Sequence, residues 1–195
     1  MDMKSKQGSE SGDLESNDIV LKSARGLLIV SKWMMLFGIG VLAIGLLAIP
    51  FAYQEMLAEM AKAFENPPAP EVFGMIALIM VLAVVLLLLA LFAVDRLRRI
   101  VNSVGEGNPF THINGTRLRG IGIAAFAIQI VTFVTSLLAI GLVDMLGEPK
   151  PGTDFNLSID SSISISGILL VLLLIILARV FDRGAEMREE LEGTV

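Results

Sequence analysis

Four stretches of the chain are almost uniformly apolar, and polar segments separate them. They run over 33–53, 72–94, 121–143 and 163–181. At 1.5 Å per residue, helices of these lengths cover roughly 28 to 35 Å, enough for a hydrocarbon layer of about 30 Å. Because lipid offers the backbone no hydrogen-bond partners, the pattern predicts four transmembrane helices rather than open strands.

The beginning of the fourth stretch is compatible with two structures. Apolar and polar residues alternate over 157–165, which is the period of a β-strand. A short strand there, followed by a helix from about Ser166, leaves a span of roughly 16 residues, which is short for a bilayer. We therefore favour a helix that begins near Ser162, and the strand remains the alternative.

The composition supports a membrane protein with a polar tail. Hydrophobic residues make up 54% of the 195 and the mean hydropathy is +0.75, whereas soluble domains are about 45–50% apolar. Residues 1–21 are polar, charged and without periodicity, so we predict a disordered tail there and a four-span membrane domain over 22–195. The predicted fold is an all-α four-helix transmembrane bundle whose helices extend into the cytoplasm.

The distribution of lysine and arginine predicts the orientation in the membrane. Of the 15, five lie in the N-terminal tail, five in the segment 95–120 and three in the C-terminal tail. The two remaining loops have one each, Lys62 and Lys150. Cytoplasmic loops carry the excess of these residues, so we predict a multi-pass protein with both termini and the 95–120 segment in the cytoplasm.

Charged side chains are confined to the ends of the apolar stretches. Asp95 ends the second, while Arg179 and Asp182 end the fourth. We predict that these opposite charges pair between the second and fourth helices, with separate snorkelling as the alternative. The missing intramembrane charge counts against an ion transporter, which would need such groups.

The third span has a seam of small or polar residues spaced three and four apart. The seam consists of Gly122, Ala125, Gln129, Thr132, Ser136 and Ala139. Helices in lipid associate through small residues and hydrogen bonds, so the seam is predicted to pack on another helix, in this chain or in a second copy. The facing residues would be Gly38, Gly45, Ala48 and Ala52 of the first span. A polar lining around a small ligand is the alternative.

The C-terminal part of the chain has an apolar stripe among charges after the fourth span. Its members are Val180, Gly184, Met187 and Leu191. The stripe predicts either a solvated helix end that lies on the other helices, which we favour, or a docking surface.

The segment "VGEGNPFTHINGTRLRG" lies between the second and third spans. It is not a phosphate-binding Walker loop, because no Gly-Lys-Ser/Thr follows its glycines. The chain has no cysteine, and His112 is its single histidine, so metal-ligand sets and a Ser-His-Asp arrangement have too few members. We therefore predict no catalytic, cofactor-binding or metal-binding residues. The net charge of −5 does not suit a nucleic-acid binder, so we also predict no direct binding of nucleic acid.

The same segment contains residues that end one helix and begin the next. Gly105 and Gly107 fit a helix stop, since glycine takes the left-handed conformation without strain. Pro109 cannot continue the helix, and Asn114 is predicted to cap the third helix. The segment is thus predicted to be a cytoplasmic hairpin.

Three further side chains of this segment have predicted positions. Phe110 is expected to anchor the loop by folding back on the helix ends. Arg117 and Arg119 are expected at the lipid headgroups, where each contributes about 1 kcal/mol of attraction to anionic lipid. The positive-inside rule by itself also accounts for these arginines.

Two segments, "GNPFTHINGTRLRGIG" and "ILARVFDRGAEMREELEGTV", contain short motifs. The loop motif is Asn108, Pro109, Phe110, Asn114, Arg117, Leu118 and Arg119, and the C-terminal motif is Ala178, Arg179, Val180, Phe181 and Gly184. Together they resemble a bacterial family of four-span membrane proteins known as domain of unknown function (DUF) 2975. The resemblance covers roughly 22–195.

This resemblance implies an integral inner-membrane protein without an established activity. Members often resemble the membrane half of a pair whose other half is a small helix-turn-helix regulator. We therefore expect a non-catalytic regulatory or binding partner of a cytoplasmic protein. The alternative is a transporter, or an accessory subunit of one, for a small molecule or lipid, with Gln129, Thr132 and Ser136 lining the path.

Overall fold

The structure consists of four long helices. The computed structural model describes residues 3–64, 69–146 and 164–193, with side chains from Ile19 onward apart from Glu192. Within these residues the helices are α1 (Met3–Ala63), α2 (Glu71–Gly105), α3 (His112–Leu146) and α4 (Ile165–Glu192), and no strand occurs. The predicted fold class, all-helical with four long apolar helices, is confirmed.

All four helices are long and apolar enough to cross a membrane. The chain is therefore a multi-pass membrane protein that resides in a lipid bilayer. Helices α2 and α3 have 35 residues each, which corresponds to about 52 Å, well beyond a hydrocarbon layer of about 30 Å. The helices extend beyond the predicted spans, as expected. The location of these extensions in the cytoplasm stays a prediction.

The start of α4 differs from the one that we favoured. The helix begins at Ile165, and the Ser164 hydroxyl accepts a hydrogen bond from the Gly167 amide (3.2 Å), as a capping residue does. Ser162 and most of the strand predicted over 157–165 lie outside the described residues. The helix continues past the predicted span to Glu192 and has 28 residues.

Helix α1 starts at Met3 and so includes most of the predicted disordered tail. The candidate membrane span within it begins at Ile19. Since side chains before Ile19 are not described, the predicted division at residue 21 stays a prediction.

The chain divides into two compact units, and both contain segments of every helix. The first unit comprises residues 1–34, 91–124 and 170–195, and the second comprises 35–90 and 125–169. The core of the second unit is formed by Phe64, Val72 and Leu146, against which Met60, Ala63, Ile76 and Leu142 pack. Apolar side chains thus hold together the end of α1, the beginning of α2 and the end of α3.

Small residues in the second unit accommodate large side chains of a neighbouring helix. A Cβ atom at Gly38 would lie 3.3 Å from Leu87 Cδ1, and one at Gly45 would lie 2.8 Å from Met80 Cε. The first span therefore packs these glycines on α2 and not on the seam of α3. The predicted pairing was wrong at Gly38 and Gly45, because each glycine packs against a bulky side chain of α2 and not against another small residue. The pairing stays a prediction at Ala48 and Ala52.

The seam of α3 instead faces α4 at the two positions where the contacts are clearest. In the second unit a Cβ atom at Gly167 would lie 2.7 Å from the Gln129 amide carbon. In the first unit a Cβ atom at Gly122 would lie 3.6 Å from Leu174 Cβ. Gly122 and Gln129 thus lie against α4, whereas Thr132 is exposed. For the seam as a whole, packing on another helix stays a prediction.

Replacing Gln129 by leucine is expected to leave the stability unchanged or to raise it. Both polar atoms of its amide are buried and have no hydrogen-bond partner within the described part of the chain. Leucine has no polar side-chain atoms, so it avoids the free-energy cost of burying an amide without hydrogen bonds. Thermal unfolding in detergent measures the effect, and Gln129→Ala, which leaves a cavity, is the control that should lower stability. A large loss of thermal stability in Gln129→Leu would contradict the placement of the Gln129 amide against Gly167 without hydrogen-bond partners.

Candidate functional site

Both sequence motifs lie in the first unit, where α2, α3 and α4 meet. The apolar core there consists of Ile100, Leu118 and Ala178, with Ile121, Leu174 and Phe181 packed against it. Leu118 comes from the loop motif and Ala178 from the C-terminal motif, although 60 positions separate them. We call the residues of the two motifs and their direct partners the motif cluster.

The C-terminus of α2 ends in a Schellman motif. Gly107 takes a positive φ of 76°. The Gly107 amide donates to the Val104 carbonyl (3.1 Å), and the Asn108 amide donates to the Ser103 carbonyl (3.0 Å). These two bonds satisfy carbonyls that the helix end would otherwise leave open. The predicted helix stop is confirmed, with Gly107 in the left-handed position and Gly105 as the last helical residue.

Asn114 does not cap α3, contrary to the sequence prediction. The helix begins at His112, and the Thr111 carbonyl accepts from the amides of Asn114 (2.9 Å) and Gly115 (3.3 Å). Thr111 therefore occupies the capping position, and Asn114 lies in the first turn. Both residue types favour helix starts, so local propensity alone did not distinguish them.

The Asn114 side chain instead joins three parts of the hairpin. It is fully buried. Its Nδ2 donates to Ser103 Oγ (2.6 Å) and to the Pro109 carbonyl (2.8 Å), and its Oδ1 accepts from Arg117 Nη1 (2.9 Å). Ser103 belongs to α2 and Pro109 to the loop, so one amide connects helix α2, the loop and helix α3.

Phe110 folds the loop back onto α4, as the sequence predicts. Its ring lies 5.4 Å from that of Phe181, with the planes tilted by 46°. A Cβ atom at Gly184 would lie 2.7 Å from Phe110 Cδ1. The glycine of the C-terminal motif thus leaves room for the phenylalanine of the loop motif.

Charged and polar groups also connect α3 with α4. Arg119 donates to the Asp182 carboxylate, and the His112 ring nitrogens lie 3.9 Å from an Asp182 oxygen and 3.6 Å from a Glu189 oxygen. Gly115 allows the close approach, because a Cβ there would lie 3.2 Å from the Ala178 carbonyl oxygen. Arg119, which was expected at the lipid headgroups, therefore pairs with a carboxylate. His112 is the first residue of α3 and does not lie in the loop.

The predicted pairing of Asp95 with the end of the fourth span is wrong. Asp95 instead accepts from Lys32 of α1 (3.2 Å) and from Arg99 of α2 (3.3 Å). Lysine is long enough to reach across from a neighbouring helix, and Arg99 is one helical turn along. Arg179 is exposed and has no ion-pair partner among the described residues.

The C-terminal stripe remains largely uncovered. Gly184 contacts Phe110, but Val180, Met187 and Leu191 are exposed in the first unit. The favoured expectation, a helix end lying on the other helices, holds for Gly184 alone. Ile113, in the first turn of α3, is likewise exposed.

Two open depressions border the motif cluster. One of about 390 Å³ is lined in part by Arg99, Ser103 and Arg117, and one of about 380 Å³ in part by Phe110 and Arg188. Asn108 and Thr111 line both, and Asn108 Oδ1 accepts from Arg188 Nη1 (2.7 Å). Ser103 and Arg188 are partners that sequence reasoning missed, since both lie outside the motifs and are brought in only by the fold. Asp182 was predicted to pair with the second helix and instead pairs with Arg119 of α3.

The described part of the chain has no group of three histidine, cysteine or acidic residues that could hold a metal ion. The fold makes this chain a multi-pass membrane protein. The chain belongs to the family described as protein of unknown function (DUF2975), whose model matches residues 52–195. The match includes every residue of the two motifs. Comparisons with curated proteins and with solved structures found no match.

Proposed function

We propose that this chain is a non-catalytic protein of the bacterial inner membrane that binds a cytoplasmic partner through its first unit. The partner class that we favour is a small helix-turn-helix transcriptional regulator. One observation carries the proposal: apolar side chains beyond the predicted spans are exposed in the part of the chain that also contains the motif cluster. Ile113 is 59% exposed, Met187 59% and Leu191 74%.

These three side chains are not accounted for by lipid. The predicted third span begins at residue 121 and the fourth ends at 181, so Ile113 and Met187 lie about 8 and 6 residues outside, or roughly 9 to 12 Å along a helix. Apolar groups exposed to water together with charged neighbours are typical of protein interaction surfaces. The surrounding charges include Glu186, Glu189 and Arg183, which would add specificity at the rim.

The proposed orientation is supported by the charge distribution of the two units. The first unit contains both chain ends and the hairpin, and with them all lysines and arginines except Lys62 and Lys150. Such an excess is typical of the cytoplasmic side. The transporter alternative gains no support from the seam, because Gln129 faces Gly167 of α4.

Gene order gives a first test of the partner class. The proposal expects a gene for a small helix-turn-helix protein beside the gene for this chain. The direct test is co-purification of that regulator with the full-length protein from solubilised membranes. Failure to co-purify at any protein concentration tested would contradict the proposal.

Polar replacement of the exposed apolar residues should weaken this binding. We expect the double variant Ile113→Ser and Met187→Ser to lose about 30-fold in affinity, because each substitution removes roughly 1 kcal/mol of buried apolar contact, or about 2 kcal/mol together. The conservative double variant Ile113→Val and Met187→Leu is the matched control, because it changes the same two positions and keeps both of them apolar. Equal losses in the variant and the control would show that the surface is not the binding site.

A further inference from the structure

The larger depression beside the hairpin contains two arginines and few opposing charges. Arg99 and Arg117 line it together with the side chains of Ser103 and Thr111, and Glu106 contributes one carboxylate. Arg99 already shares Asp95 with Lys32. The lining residues thus carry a net positive charge and several hydrogen-bond donors.

Arg117 is held in place by neutral acceptors. Its Nη1 donates to Asn114 Oδ1 (2.9 Å) and to the Arg99 carbonyl oxygen (3.2 Å). Among the described residues no carboxylate pairs with it, whereas Arg119, two positions later, pairs with Asp182. The Arg117 guanidinium is therefore oriented by the buried Asn114, with its charge left uncompensated and two of its nitrogens without a described partner.

Thr111 also lines the depression, but its hydroxyl oxygen is buried beneath the surface and makes no hydrogen bond within the described part of the chain. An oxyanion in the depression would therefore accept from the Arg117 guanidinium and not from this hydroxyl.

We propose that this depression binds a phosphate-bearing anion, with Arg117 as the oriented donor and Arg99 as the second cation. A planar guanidinium donates two parallel hydrogen bonds to phosphate oxygens, which suits a phosphate better than a halide. A volume of about 390 Å³ accommodates a phosphate ester. The positive-inside rule explains why arginines occur here, but it does not explain why Arg117 is fixed by two neutral acceptors.

The phosphate can belong to a phospholipid headgroup or to a soluble phosphorylated compound. Arg99 lies about five residues beyond the predicted second span, or roughly 7 Å along a helix, which is within reach of headgroup phosphates. The chemistry of the site is the same for both sources. The proposal does not depend on the cytoplasmic partner.

The test uses the full-length protein in neutral detergent at fixed ionic strength. Dihexanoyl phosphatidylglycerol, dihexanoyl phosphatidylcholine and inorganic phosphate are titrated separately, and binding is measured by isothermal calorimetry. We expect Arg117→Gln and Arg99→Gln each to weaken binding of the anionic probes about tenfold, the loss of one charge-assisted contact. Arg98→Gln removes the same charge from a position outside the depression and is the matched control.

The two variants keep the test decisive if one of them unfolds. Arg99→Gln changes a largely exposed side chain and leaves its backbone carbonyl in place, so it should fold even if Arg117→Gln does not. Selective binding of phosphatidylglycerol identifies a headgroup site, and binding of inorganic phosphate with the same sensitivity to Arg99 identifies a soluble ligand. The proposal is overturned if no anionic probe binds, or if Arg98→Gln weakens binding as much as Arg99→Gln.

Discussion

Replacing Asn114 by leucine is expected to lower the free energy of unfolding by about 3 kcal/mol, one of the two largest effects that we predict. The side chain is fully buried and makes three hydrogen bonds of 2.6 to 2.9 Å. Leucine has the same branching at Cγ but no donor, so the Pro109 carbonyl and the Ser103 hydroxyl lose the group that now satisfies them. Denaturation in mixed micelles, followed by far-UV circular dichroism, measures the loss.

Asn108→Leu is the matched control for this substitution. Asn108 lies in the same motif, but it is exposed and makes one side-chain hydrogen bond, to Arg188. Exposed contacts of this kind contribute about 0.5 kcal/mol or less, so the control should remain close to the parent. If Asn114→Leu were no more destabilising than Asn108→Leu, the amide would not be what joins the helices to the loop.

The four helices could be predicted because the bilayer leaves few alternatives. Within lipid the backbone must satisfy its own hydrogen bonds, so a long apolar stretch specifies a helix by length alone. The end of α2 was also predictable, because Gly107 and Pro109 determine the local backbone without help from distant residues. Tertiary contacts were not needed for either prediction.

The role of Asn114 could not be predicted from its neighbours. Thr111 and Asn114 both favour helix starts and lie three residues apart, so the choice depends on which side chain finds partners elsewhere. Ser103, on the preceding helix, provides one for Asn114. The same limit applies to Asp95, whose partner Lys32 is 63 positions away in sequence. Long-range partners of this kind leave no periodic signal in a single sequence.

The two motifs are distant in sequence and adjacent in the first unit. Phe110 contacts Phe181, Leu118 packs with Ala178, and Arg119 pairs with Asp182. Each contact joins the hairpin to α4, so the motif residues contribute chiefly to holding these elements together. Of the residues in the two proposals, Arg99 and Ile113 lie at the margin of the cluster and outside the motifs, whereas Arg117 is itself a motif residue.

The contact between the motifs predicts a strong coupling between Gly184 and Phe110. A side chain at position 184 must displace the phenyl ring, because its Cβ would lie 2.7 Å from Cδ1 and 3.1 Å from Cγ. We expect Gly184→Val to cost about 3 kcal/mol of unfolding free energy, at the upper end for overpacking, because the ring would also lose Phe181. Phe110→Ala alone should cost about 1 to 2 kcal/mol, since the ring is only partly buried.

In the double variant the costs should not add, because removing the ring creates the space that valine needs. We expect the Phe110→Ala and Gly184→Val protein to be more stable than the sum of the single changes implies, by at least about 1 kcal/mol, a coupling typical of residues in contact. Gly26→Val is the control, since a Cβ at Gly26 meets nothing within 4 Å. Additive costs would mean that Gly184 is required for a reason other than Phe110, and the hairpin and α4 would then be held together by the Asp182 and Ala178 contacts instead.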